Sequence, residues 1–115
     1  MTLERLDGSP RYAHAIRHGD TVYLAGQVPE DLGGNVANQA RQVLDRIDRL
    51  LSKFGTDKRR LLAATVYLRE ISALVEFNRV WEAWIDPAAK PTRTVVEARM
   101  GHPDYRVEIS VVAAA

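Results

Sequence analysis

The sequence predicts an α+β fold: a mixed β-sheet with two helices packed on one of its faces. Two observations carry this expectation. Apolar residues recur with period two in six short stretches and with a period of about 3.6 in two longer ones, in the order β-β-β-α-β-α-β-β. Several strand-like stretches are also apolar on both sides: Val22 with Tyr23, Val66 with Tyr67, Val95 with Val96, and Val111 with Val112. Two helices cover one face of such a sheet, so the other face is expected to be covered by another subunit of a homo-oligomer.

Taken in order, Thr2 to Leu6 reads as a short edge strand, followed by the loop Asp7-Gly8-Ser9-Pro10. Gly19-Asp20 separates two strand-like runs and is suited to a two-residue hairpin turn. Thr21 to Ala25 is β-prone, and Gly26 after it allows close approach of a backbone or a ligand. Pro29 and Asp31 to Asn35 form a loop. From Val36 to Phe54 the period becomes helical. Ala40, Val43, Leu44, Ile47, Leu50, Leu51 and Phe54 share a face, with Gln39, Arg41, Gln42, Asp45, Arg46 and Arg49 assigned largely to the others. Asn35 is the expected N-cap and Gly55 the expected stop.

Leu61 to Arg69 reads as a strand. Ser72 is positioned to cap a second helix whose apolar stripe is Leu74, Phe77, Val80, Trp81, Trp84 and Ile85, ended by Asp86-Pro87. The stretch Pro91 to Val112 holds two further alternating runs around Gly101-His102-Pro103-Asp104. It predicts a hairpin that brings Arg93 and Glu108 among the charges of a shared sheet.

Composition narrows the function. A chain of 115 residues fits one domain, residues 1–115, and an apolar content of 46% fits a globular one. Sixteen basic and fifteen acidic residues, interspersed, give no electrostatic reason to expect nucleic acid or an anionic membrane as partner. The absence of cysteine excludes disulfides, a thiol nucleophile and thiolate metal sites. The opening MTLERLDGSP has no apolar core of a signal peptide and no run reaches membrane-spanning length, so a soluble, cytoplasmic protein is expected. His14, His18 and His102 lack metal-type spacing, and Gly33-Gly34 follows no strand as a phosphate loop would. Lys58-Arg59-Arg60 reads as a solvated turn.

Several segments together resemble the RidA family (YjgF, reactive intermediate deaminase), also labelled endoribonuclease L-PSP. They are Tyr12, VYLAGQVP (22–29), QARQVLDRIDRLL (39–51), TVYL (65–68), FNRVWEAW (77–84), PTRTVVEAR (91–99) and VEISVVA (107–113). The resemblance spans nearly the whole chain and rests on order and spacing. It implies a chorismate-mutase-like fold, a homotrimer with a site in each cleft between subunits, and hydrolysis of 2-imino acids and their enamine tautomers to 2-keto acids and ammonia. The implied ligand is a small imino or keto acid, with neither metal nor organic cofactor. The chain departs from the founding members at Val95, where they carry cysteine, and at Ser110, where they carry a second acid. Ser9-Pro10-Arg11 and the turn Met100 to Tyr105 differ as well.

With that resemblance, Arg93 is the first candidate, because a planar guanidinium fixes a carboxylate through two parallel hydrogen bonds. The alternative is a structural salt bridge. Glu108 is the second, a carboxylate able to hold and deprotonate a water; the alternative is a surface pair with Arg106 or Arg99. Tyr12 is a candidate to close the pocket, or an ordinary strand tyrosine. Gly26 offers backbone contact to a ligand, or close strand packing. Asn78, mid-helix, reaches a neighbour's pocket or bonds to local backbone. Beside turnover, the same pocket is consistent with binding or sensing without turnover, and the family label raises RNA cleavage, which the balanced charge does not support.

Overall fold

The computed structural model describes residues 1–115 and follows the predicted element order. The strands are β1 (Leu3–Asp7), β2 (Ala13–His18), β3 (Thr21–Gln27), β4 (Leu61–Leu68), β5 (Thr92–Glu97) and β6 (Val107–Ala114). The helices are α1 (Val36–Lys53) and α2 (Leu74–Trp84). Gly19, at φ 59°, turns β2 into β3, a left-handed conformation that costs glycine nothing. The Asn35 side chain accepts the Asn38 N–H as the N-cap of α1, and Gly55, at φ 72°, follows its C-terminus.

The six strands form one sheet in the order β1-β2-β3-β6-β4-β5. Paired residues on neighbouring strands share a face, so the register assigns every side chain to one. Leu24, Ala64, Val66, Leu68, Val107, Ile109 and Val111 lie beneath the helices, where they join Val43, Leu44, Ile47 and Leu51 of α1 and Phe77, Val80 and Trp81 of α2 in one core. The opposite face has no covering layer. Tyr23, Leu62 and Val96 stay 47%, 50% and 40% exposed there. Apolar residues on both sides of a strand thus give one packed face and one open face, as expected from the sequence.

Three expectations need correction. The stretch 91–112 is not a hairpin. β5 pairs in parallel with β4, and β6 pairs antiparallel with β3 and β4, so β4 separates the two strands. The connection from Glu97 to Val107 passes over the end of β4, where Ala98 N–H donates to the Leu68 carbonyl and Arg69 N–H to the Arg106 carbonyl. Alternation identifies a strand but not its partner, and a connection of this length is not a tight hairpin turn.

Ser72 is not a helix cap. It lies in a short 3₁₀ turn, Ile71–Ala73, and α2 begins from Ala73 without a side-chain cap. The incoming turn already bonds backbone to backbone, Ala73 N–H donating to the Glu70 carbonyl.

Gln39 is fully buried instead of facing solvent. Its amide nitrogen donates to the Leu32 and Asp104 carbonyls, and its oxygen accepts the Arg106 N–H at 2.7 Å. One side chain therefore joins α1 to both loops at that end of the sheet. Gln39→Leu leaves these backbone groups unpaired and is expected to cost about 2–4 kcal/mol in urea unfolding. A loss below the error of the measurement would contradict this role.

Candidate active site

The register separates the two leading candidates. Arg93 pairs with Ala64, which is buried beneath the helices, so Arg93 projects to the helix-covered face at the β5 edge. Glu108 pairs with Tyr67, so it projects to the open face from a central strand. Within one chain they lie on opposite sides of the sheet.

On its side, the Arg93 guanidinium carbon sits 5.3 Å from the centroid of the Trp81 ring and 5.9 Å from that of Phe77. These residues follow one another at i, i+4 on α2, so one helical face offers two aromatic rings to the cation. No carboxylate pairs with Arg93: the ion pairs are Arg49–Asp45 and Arg59–Asp57. The salt-bridge alternative raised by the sequence is therefore absent. The cation is held by ring contacts while no carboxylate takes its N–H donors, which leaves them for a ligand carboxylate. Asn78, next to Phe77 on α2, carries a buried side-chain oxygen with no hydrogen-bond partner. Its oxygen makes none of the local backbone bonds that the sequence suggested.

On the open side, the Glu108 carboxylate lies directly over Gly26. A methyl group built on Gly26 would overlap Oε2 of Glu108, so the absence of a side chain there is what admits the carboxylate. The β3–β6 register shifts between Leu24 and Gln27, and that irregularity contains Gly26. Burial pushes the Glu108 carboxyl above its ordinary value, and no cation offsets this. Arg106 does not pair with it; its Nε donates to the Gly34 carbonyl. Gly26→Ala is expected to displace the carboxylate or strain the strand, lowering Tm by several degrees. An unchanged melting curve, with the carboxylate in place in a crystal structure, would refute that account.

Tyr12 lies in the loop between β1 and β2, not on a strand, and is 54% exposed. Its ring meets His14 edge-on at 6.0 Å, and its carbonyl accepts the N–H groups of Gly8 and Ser9. The structure brings Gly26 and Glu108 together on one face. It puts Arg93 on the other face, against α2, the helix that carries Asn78.

Comparison with known proteins agrees with this architecture. Residues 2–115 match the family described as Endoribonuclease L-PSP. A RutC family protein of Haemophilus ducreyi is 40% identical over 112 residues, covering 97% of this chain and 96% of that one. The RutC family protein YoaB of Escherichia coli is 36% identical over 114 residues, covering 99% of each. The crystal structure of a YjgF family member from Neisseria meningitidis superposes with a TM-score of 0.95 at 39% identity, covering 99% of this chain and 95% of that one.

The chain belongs to the RidA/YjgF family. Within that RidA/YjgF framework, the aromatic support of Arg93 is what reading the sequence missed. Trp81 is assigned there to the core stripe alone, and it is indeed buried, yet its ring also meets the guanidinium. The i, i+4 aromatic spacing was the available signal. Recognising it required knowing that Arg93 reaches α2 from β5.

Proposed function

We propose that this protein is an imine/enamine deaminase, hydrolysing 2-imino acids to 2-keto acids and ammonia at a site shared between subunits of a homotrimer. The observation that carries the reading is an arginine held on two aromatic rings with no carboxylate partner. Arg93 would take the substrate carboxylate through paired N–H donors, fixing the adjacent C=N carbon.

Glu108 would then hold a water at that carbon and accept its proton as the C–O bond forms. The resulting carbinolamine loses ammonia once its nitrogen is protonated, and the carboxyl raised by burial returns that proton. One water is consumed and one ammonia released. Gly26 would leave room for the carboxylate, Tyr12 would close the pocket, and Asn78 would supply an acceptor to the substrate nitrogen.

Because Arg93 and Glu108 face opposite sides of their own sheet, the reading requires Arg93 of one subunit to meet Glu108 of the next. The uncovered face with Tyr23, Leu62 and Val96 supports such an assembly. Tyr23→Glu is expected to convert the trimer to monomer in sedimentation at micromolar concentration and to abolish turnover with it. A Tyr23→Glu trimer would argue against this face as the interface.

The test is the decay of 2-aminoacrylate generated in place by a serine dehydratase, comparing buffer with the protein. Faster keto-acid release is expected. Saturable stabilisation by small carboxylates without acceleration would favour the second reading, binding without turnover, which the departures at Val95 and Ser110 keep in view.

A further inference from the structure

A cavity of about 390 Å³ opens on the helix side of the sheet, between α1 and the ends of β1 to β3. Neither Arg93 nor Glu108 lines it. Its α1 wall carries Arg46, Arg49 and Lys53, which share a helical face at i, i+3 and i+7. Its strand-side wall carries Asp7, Gln27 and Glu30. Cations thus come from the helix and acceptors from the strand ends.

These opposite charges do not close on one another. The only carboxylate on any of the three cations is Asp45, outside the cavity, which pairs with Arg49 at 3.1 Å. Arg46 donates to the Val28 carbonyl, so the cation is anchored beside the cavity without being neutralised. Gln27 is 2% exposed, and its amide nitrogen is committed to the Ala25 carbonyl, which leaves its oxygen as an acceptor. His14, on the cavity wall, has a buried Nδ1 without a partner.

A simple anion would satisfy the helix wall and leave the carboxylates unmatched; a simple cation would do the reverse. We propose that the cavity is a binding site for a zwitterionic α-amino acid. Its carboxylate meets Arg46, Arg49 and Lys53, and its ammonium meets Asp7, Glu30 and the Gln27 oxygen. Leu6 and Leu50, the apolar lining residues, are the contact for its side chain. The site is separate from Arg93 and does not depend on the activity proposed above.

The test uses the full-length protein and calorimetric titration with L-leucine, L-serine and L-glutamate. 4-Methyl-2-oxopentanoate and 3-methylbutylamine, each with one of leucine's two charges, serve as controls at matched ionic strength, titrated into Arg93→Ala so that the keto acid is not read out at Arg93. Saturable binding of at least one amino acid is expected, with each control weaker by roughly tenfold or more. The surface variants R49Q/K53Q and Glu30→Gln should each weaken binding by roughly tenfold with unchanged circular dichroism, while Arg93→Ala retains it. Four results would each overturn the proposal: no saturable binding of any of the three, equal binding of the keto acid to Arg93→Ala, wild-type affinity in R49Q/K53Q, or loss of amino-acid binding in Arg93→Ala.

Discussion

Arg93→Ala is expected to lower kcat/KM for imine hydrolysis by roughly a hundredfold or more, while the protein keeps its fold and its oligomeric state. Losing charge-assisted hydrogen bonds to the substrate carboxylate removes about 3 kcal/mol, which corresponds to that factor. The fold should survive because Arg93 sits on an edge strand and carries no ion pair. Its contacts with Phe77 and Trp81 contribute at most about 1–2 kcal/mol. Arg93→Lys is the informative companion. It restores the charge but not the planar fork, so it should recover only part of the loss. Circular dichroism and sedimentation accompany the kinetics. Wild-type kcat/KM in the alanine variant would remove the arginine from the mechanism.

Glu108→Gln is expected to lower kcat by roughly a hundredfold or more, the range of general acid–base assistance, with KM little changed. The pH dependence follows from the direction in which burial moves the group. A base must be ionised, and this carboxyl is raised above its ordinary value, so the wild-type rate should begin to fall at a pH above that of an exposed glutamate. The acid limb should vanish in the glutamine variant.

Stability should move the other way. A carboxyl whose pKa is raised by folding stabilises the fold below its unfolded pKa, and that contribution is lost as pH rises through the folded value. At neutral pH, therefore, Glu108→Gln should melt no lower than wild type. A variant both inactive and markedly less stable would assign Glu108 a structural role.

The candidate residues were named one by one. Arg93, Glu108, Gly26, Tyr12 and Asn78 were nominated from the chain and its family resemblance. Their grouping was not legible. The expected hairpin put Arg93 and Glu108 on one surface, whereas the order β6-β4-β5 inserts a strand between them and the register turns them to opposite faces. Gly26 was read as a place for close approach, and the approaching group proved to be the Glu108 carboxylate.

Secondary structure was set locally, because side-chain periodicity, the Asn35 cap and the glycines at 19 and 55 act over a few residues. The layering also followed from the chain alone, since two amphipathic helices bury their apolar stripes on one face of a sheet. Strand order, the burial of Gln39 between two loops and the rings beneath Arg93 were decided by tertiary structure. Each depends on contacts between residues far apart in sequence. A period-two pattern is satisfied equally well by any partner strand, and a polar side chain on a helix is satisfied by water or by a loop folded over it.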